Sequence, residues 1–200
     1  MVVLRSGVTN AQAGRAVRGG GDVDGDGVPD LAVGLPGFAQ DGNTVGAAAV
    51  VYGAYIASLP KEPAQDANAP QNYALMFDAS RPNAAVVGRT PGGEFGRGVA
   101  LLPLGAPVGT VLVAGSPSGD LSGTTRSGAA QAFIWSASDG LVGSALLGFG
   151  GETTRSGGRL GELVRYGQRN GRPMLVLGGY DGTSYGLDGG SVYVFDATLP

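Results

Sequence analysis

Asp22-Val23-Asp24-Gly25-Asp26-Gly27-Val28-Pro29-Asp30 places four carboxylates at positions one, three, five and nine of a nine-residue stretch. Carboxylates this dense repel one another unless a hard cation sits among them. Ca2+ takes about six to eight oxygen ligands at ~2.3–2.6 Å in flexible geometry, which alternating Asp side chains on a tight loop can supply. The candidate donors are the side chains of Asp22, Asp24, Asp26 and Asp30, with the backbone carbonyl of Val28 and a water. Gly27 permits the sharp turn that a residue with a Cβ would resist. The expected load is one Ca2+ per chain.

The stretch begins like an EF-hand and ends differently. An EF-hand closes with a bidentate Glu at position twelve and has helices on both sides. Here position twelve is Val33, and Pro29 followed by Leu31-Ala32-Val33 predicts a strand after the loop. The carboxylate at position nine therefore closes the cage, and the loop joins two strands.

The elements that must carry this loop are short. Gly numbers 39 and Pro 12 among 200 residues, yet 42% of the chain is hydrophobic. A disordered chain combines low hydrophobicity with high net charge, so the glycines read as turn residues between many short strands. The net charge is −3 and Lys61 is the only lysine, so no basic patch speaks for nucleic-acid binding. The absence of His and Cys removes Ser-His-Asp and Cys-His chemistry, His- or Cys-ligated zinc, and disulfides. The longest apolar stretch, Val45 to Leu59, is broken by Gly46, Gly53 and Ser58, too short for a membrane-spanning helix.

The chain repeats itself. An opening element recurs as Ala13-Gly14-Arg15-Ala16-Val17, Phe95-Gly96-Arg97-Gly98-Val99 and Leu160-Gly161-Glu162-Leu163-Val164. A second recurs as Asp30 to Pro36, Val111 to Pro117 and Met174 to Tyr180, and a third as Gly46 to Val51, Gly128 to Phe133 and Gly190 to Phe195. A fourth apolar run follows twice, at Ala84 to Val87 and Ser144 to Leu147. Four short antiparallel strands per unit match a propeller blade. The single domain over 1–200 then holds about three units, near 13–88, 95–149 and 158–196, with an N-terminal strand at 2–5 that completes a blade. An Ala-, Pro- and Gln-rich insert, Tyr55 to Asn72, reads as an exposed loop. In unit three the counterpart of the aspartate loop, Tyr166 to Met174, has equal length but no carboxylate, and no ion is expected there.

The Phe-Gly opening, the Gly-Ser-Pro and Gly-Leu-Pro turns and the Asp-rich loop between the first two strands resemble FG-GAP repeats, which build the β-propeller of integrin alpha subunits and many bacterial surface proteins. The resemblance covers nearly the whole chain. It implies an all-β fold of four-stranded antiparallel blades and Ca2+ held by Asp22, Asp24, Asp26, Val28 and Asp30. Such propellers usually have seven blades, so about three imply part of a larger or oligomeric ring.

The function that follows is a non-enzymatic, Ca2+-stabilised module for protein–protein interaction or adhesion, extracellular or at a cell surface, where Ca2+ is high enough to fill weak sites. A homo-oligomer could complete the ring. Two alternatives stand beside it. A lectin-like propeller would stack sugars on Trp135, Tyr52, Tyr180 or Tyr185. An enzyme domain, glycoside- or ester-cleaving, would draw paired carboxylates from Glu62, Glu94, Glu152, Glu162, Asp120, Asp139, Asp181 and Asp188, though spacing pairs none of them; without such a pair the chain would be the non-catalytic domain of a secreted hydrolase.

Overall fold

The computed structural model describes residues 3–59, 73–75, 85–119, 127–136, 140–150, 159–181 and 189–197. In chain order these form β1 (Val3–Arg5), β2 (Ala16–Gly21), β3 (Asp30–Leu35), β4 (Ala39–Gln40), β5 (Asn43–Thr44), β6 (Ala47–Val51), α1 (Gly53–Ser58), β7 (Tyr73–Leu75), β8 (Ala85–Val87), β9 (Val99–Gly105), β10 (Gly109–Ser116), β11 (Ala129–Ser136), β12 (Gly140–Gly150), β13 (Leu163–Arg169), β14 (Arg172–Asp181) and β15 (Gly189–Asp196). The protein is all-β. Three antiparallel sheets dominate, in strand orders β2-β3-β6-β8, β9-β10-β11-β12 and β13-β14-β15. The described sheets do not close into a ring or barrel.

Each large sheet coincides with one sequence unit, and the sheets stack face to face. Ala16, Ala32, Ala48 and Val50 of the first sheet share a buried cluster with Phe95, Val99, Leu101 and Leu112 of the second unit. Ala100, Val113, Ala130 and Ala132 of the second share another with Leu160, Val164, Leu175 and Leu177 of the third. A strand covered on both faces needs a continuous apolar run in place of alternation. This explains Ala47-Ala48-Ala49-Val50-Val51, in which every residue is buried and neighbours serve opposite clusters.

The repeat survives in detail. Gly14, Gly96 and Gly161 all take positive φ. Their amides donate to the carbonyls of Gly34, Gly115 and Gly178 in turn. A Cβ on Gly34 would overlap the Gly96 carbonyl, and one on Gly115 the Gly161 carbonyl, so each opening loop sits directly on the preceding sheet. Gly46 bridges Phe95 and Gly128 bridges Leu160 in parallel fashion, the same contact at both junctions.

Three expectations change. The strand at the N-terminus does not complete a blade within the chain: Val3–Arg5 pairs in parallel with Tyr73–Leu75, and Leu4, Val8 and Ala11 cover the outer apolar face of the first sheet. The insert is not loop throughout, since Gly53–Ser58 is helical and its Tyr55 and Ile56 pack on that same face; 60–72 lie outside the described residues. Unit three has no nine-residue loop. There β13 and β14 pair from Leu163↔Gly178 through to Arg169↔Arg172, leaving a two-residue turn. Asn170 and Gly171, at φ 53° and 76°, supply the two left-handed positions of a tight hairpin turn. The third sheet has three described strands, in keeping with the two fourth apolar runs that the sequence places only after units one and two.

Candidate metal centre

The aspartate stretch connects β2 to β3 across a register shift between Gly19 and Gly21, and Asp30 is the first residue of β3. The loop is folded by its own carboxylates. Asp22 accepts the amides of Gly25 (2.8 Å) and Gly27 (2.9 Å), one on each oxygen. Asp24 accepts the amide of Asp26 at 3.2 Å, and Asp26 that of Val28 at 2.7 Å. Gly25 and Gly27 take positive φ, which lets the chain curl around the Asp22 carboxylate.

Carboxylate oxygens of Asp22, Asp24 and Asp30 lie within 4.8 Å of one another. Ligands at ~2.3–2.6 Å from a shared Ca2+ stand at most about 5 Å apart, so one ion can touch all three. Asp26 does not join this group; its side chain is exposed and turned to the Val28 amide.

Asp30 is the anchor, at 1% exposure. One oxygen accepts the Val23 amide at 2.7 Å and the other the Gly53 amide at 2.8 Å. Gly53 opens α1, whose N-cap Tyr52 offers no side-chain cap, so Asp30 supplies the missing acceptor from across the fold. Each carboxylate oxygen carries two lone pairs, which leaves one for a cation. Burial pushes the Asp30 carboxyl up; the Gly53 and Val23 amides counter it in part, and the charges of Asp22 and Asp26 add to the rise. Asp24 is likewise raised, by burial and then by Asp30, Asp26 and Asp22 against the Asp26 amide. The loop thus holds negative charge at a cost that a divalent ion would remove.

The site reaches the second unit. The Trp135 indole N–H donates to the Tyr52 hydroxyl at 2.9 Å, and both rings pack on the cluster between the first two sheets. Burial raises the Tyr52 hydroxyl, against the Trp135 bond, and the charges of Asp24 and Asp30 raise it further. These two aromatics are tied to each other and the sheet junction, a different use from an open sugar platform. The Tyr180 side chain and all of Tyr185 lie outside the described residues.

Among the candidate acids, Glu94 and Glu162 come together through two arginines. Arg97 pairs with Glu94 (3.2 Å) and Glu162 (2.8 Å), and Arg159 with Glu94 (2.8 Å) and Glu162 (2.9 Å). The network clasps the openings of units two and three. The repeat alignment carries its signal, because Arg97 and Glu162 occupy one repeat position with opposite charge. The Asp181 side chain and all of Glu62, Asp120, Asp139, Glu152 and Asp188 lie outside the described residues. A cleft of about 470 Å3 between β8 and the second sheet is lined by residues such as Arg89, Thr90, Ser116, Gln131 and Phe133, with no carboxylate among the described lining residues.

No known protein family matches the chain, and no curated protein matches its sequence. No helix among the described residues is long and apolar enough to cross a membrane.

Proposed function

We propose that the chain is a Ca2+-stabilised, non-enzymatic module of stacked propeller-type blades, serving protein–protein interaction or adhesion outside the cytoplasm. The observation that carries the metal part is the convergence of the Asp22, Asp24 and Asp30 carboxylates on a loop whose amides are already satisfied. Each oxygen that accepts an amide keeps a second lone pair for a cation, and an all-oxygen, carboxylate-rich set suits Ca2+. The remaining ligands would come from the Val28 carbonyl, Asp26 after a side-chain turn, and water.

The ion's role is structural. Asp30 links the loop to α1, and Tyr52 links α1 to Trp135 of the second unit. A cation on the loop therefore stiffens the first junction of the stack and leaves the sheet edges and loops for a partner. The blade reading is supported by the two equivalent sheet junctions and by the antiparallel order within each sheet.

Thermal unfolding with and without ion tests this. For a site of about 1 mM affinity, 10 mM Ca2+ adds roughly 1.4 kcal/mol of stability. Mg2+ adds much less, since it prefers a smaller octahedral shell and dehydrates reluctantly. Asp24→Asn should abolish the Ca2+ increment while leaving the ion-free protein folded. Equal shifts with Mg2+ and Ca2+, or an unchanged shift in Asp24→Asn, would refute the assignment.

A further inference from the structure

The two internal junctions define a socket and a plug. The socket is the forward face of a sheet: Gly46, Ala48 and Val50 in unit one; Gly128, Ala130 and Ala132 in unit two. All six residues are buried under the following unit. The plug is the opening of that following unit, Phe95, Gly96 and Val99 in the second and Leu160, Gly161 and Val164 in the third, also all buried.

Both pieces recur, uncovered, at the ends of the stack. The unit-three socket is Gly190, Val192 and Val194. Gly190 is exposed, and the valines are 71% and 58% exposed. Leu163 and Val192 flank Gly178 on one row of the sheet, and Arg165 and Val194 flank Val176 on the next, so Leu163, Val176, Val192 and Val194 form an apolar patch with Arg165 at its β13 edge. Leu163 is 38% exposed, whereas its unit-one counterpart Ala16 is buried. The unit-one plug is Ala13, Gly14 and Val17. All three are exposed, with Val17 at 42% where Val99 and Val164 are at 0%. A Cβ on Gly14 meets nothing, whereas one on Gly96 or Gly161 would strike the preceding sheet.

We infer that the open face of unit three takes the unit-one opening of a second copy of this chain, head to tail, and that two such junctions close a two-chain ring. Charge agrees with this pairing. At the internal junction Arg97 of unit two meets Glu162 of unit three. The same repeat position in unit one is Arg15, exposed and without an ion pair among the described residues. The new junction would set Glu162 against the second copy's Arg15, the same pair with its order reversed. The outer half of the unit-one face is covered by Leu4, Val8 and α1. The incoming sheet thus meets the β2 side directly and this cover beyond it. The inference goes beyond the metal reading and stands without it.

Sedimentation velocity at micromolar concentration, run in Ca2+ and again in chelator, tests the contact. Wild type should sediment at twice the chain's mass. Val194→Arg and Val17→Arg alter exposed side chains and should each give a folded monomer by circular dichroism, while Arg15→Glu should weaken dimerisation by about tenfold. A wild-type monomer overturns the inference. So does a dimer that survives Val17→Arg and Arg15→Glu, since that pattern means the unit-three faces pair with each other.

Discussion

Asp30→Ala in chelator isolates the anchoring role of Asp30 from the metal role proposed for the loop. In chelator the substitution removes the acceptor of two buried amides, Val23 and Gly53. Hydrogen bonds to a charged partner contribute about 1.5–3 kcal/mol each, and a buried donor left unmade costs a similar amount. The gross loss is thus about 3–6 kcal/mol. Relief of repulsion with Asp22 and Asp24 returns about 1 kcal/mol per pair at water-like screening. A net loss of about 1–4 kcal/mol remains. With a urea slope of about 2 kcal/mol per M, the unfolding midpoint should fall by about 0.5–2 M at constant slope. Asp30→Asn keeps one acceptor oxygen but turns an amide N–H2 toward the other backbone donor, so it should recover at most half the loss. Asp26→Asn, exposed and outside the cluster, should shift stability by about 0.5 kcal/mol or less. An Asp30→Ala midpoint within about 0.3 M of wild type would show that Asp30 does not anchor the loop.

The single tryptophan, Trp135, should report the ion: Ca2+ should change its emission, and Tyr52→Phe, which removes the hydroxyl that Trp135 donates to, should shrink that change without removing the binding. Grafting Tyr166→Asp, Gln168→Asp, Asn170→Asp and Met174→Asp together should create no second Ca2+ site, because those positions lie along a two-residue hairpin; a second equivalent in calorimetry would contradict the hairpin. Glu162 is pushed up by burial, but its bonds and charges with Arg159 and Arg97 outweigh that and hold its carboxyl below the ordinary value. A depressed acid stabilises the fold above its unfolded pKa and loses that contribution as pH falls through the folded one. Glu162→Gln should therefore lower stability at pH 7 and flatten the acid limb below about pH 4.3; an unchanged acid limb would deny the network a role.

Much of the fold was legible because its repeats are local. The openings Ala13-Gly14, Phe95-Gly96 and Leu160-Gly161 mark equivalent turns, and the strands that follow them begin where the apolar runs begin. The cluster of Asp22, Asp24 and Asp30 was legible for the same reason: its carboxylates lie within nine residues. What stayed hidden depends on distance along the chain. Nothing in the loop shows that Asp30 caps α1 at Gly53, 23 residues on. Nor does it show that Tyr52 meets Trp135. The strand pairing of Val3–Arg5 with Tyr73–Leu75 crosses the insert and has no local signature. Unit three misled for another reason. Asn170-Gly171 is a strong hairpin signal, and aligning it with the aspartate loop masks it. Asp26 shows the limit of spacing: it has the right position in the pattern, yet its side chain turns to the Val28 amide.

Isothermal titration calorimetry of Ca2+ into the ion-free protein, beside the Asp22→Asn/Asp24→Asn double variant, tests the central claim most directly. The expected result is one site per chain in the wild type, of roughly 0.1–1 mM dissociation constant as in extracellular modules, and none in the variant. No binding by the wild type, or equal binding by the variant, would contradict it.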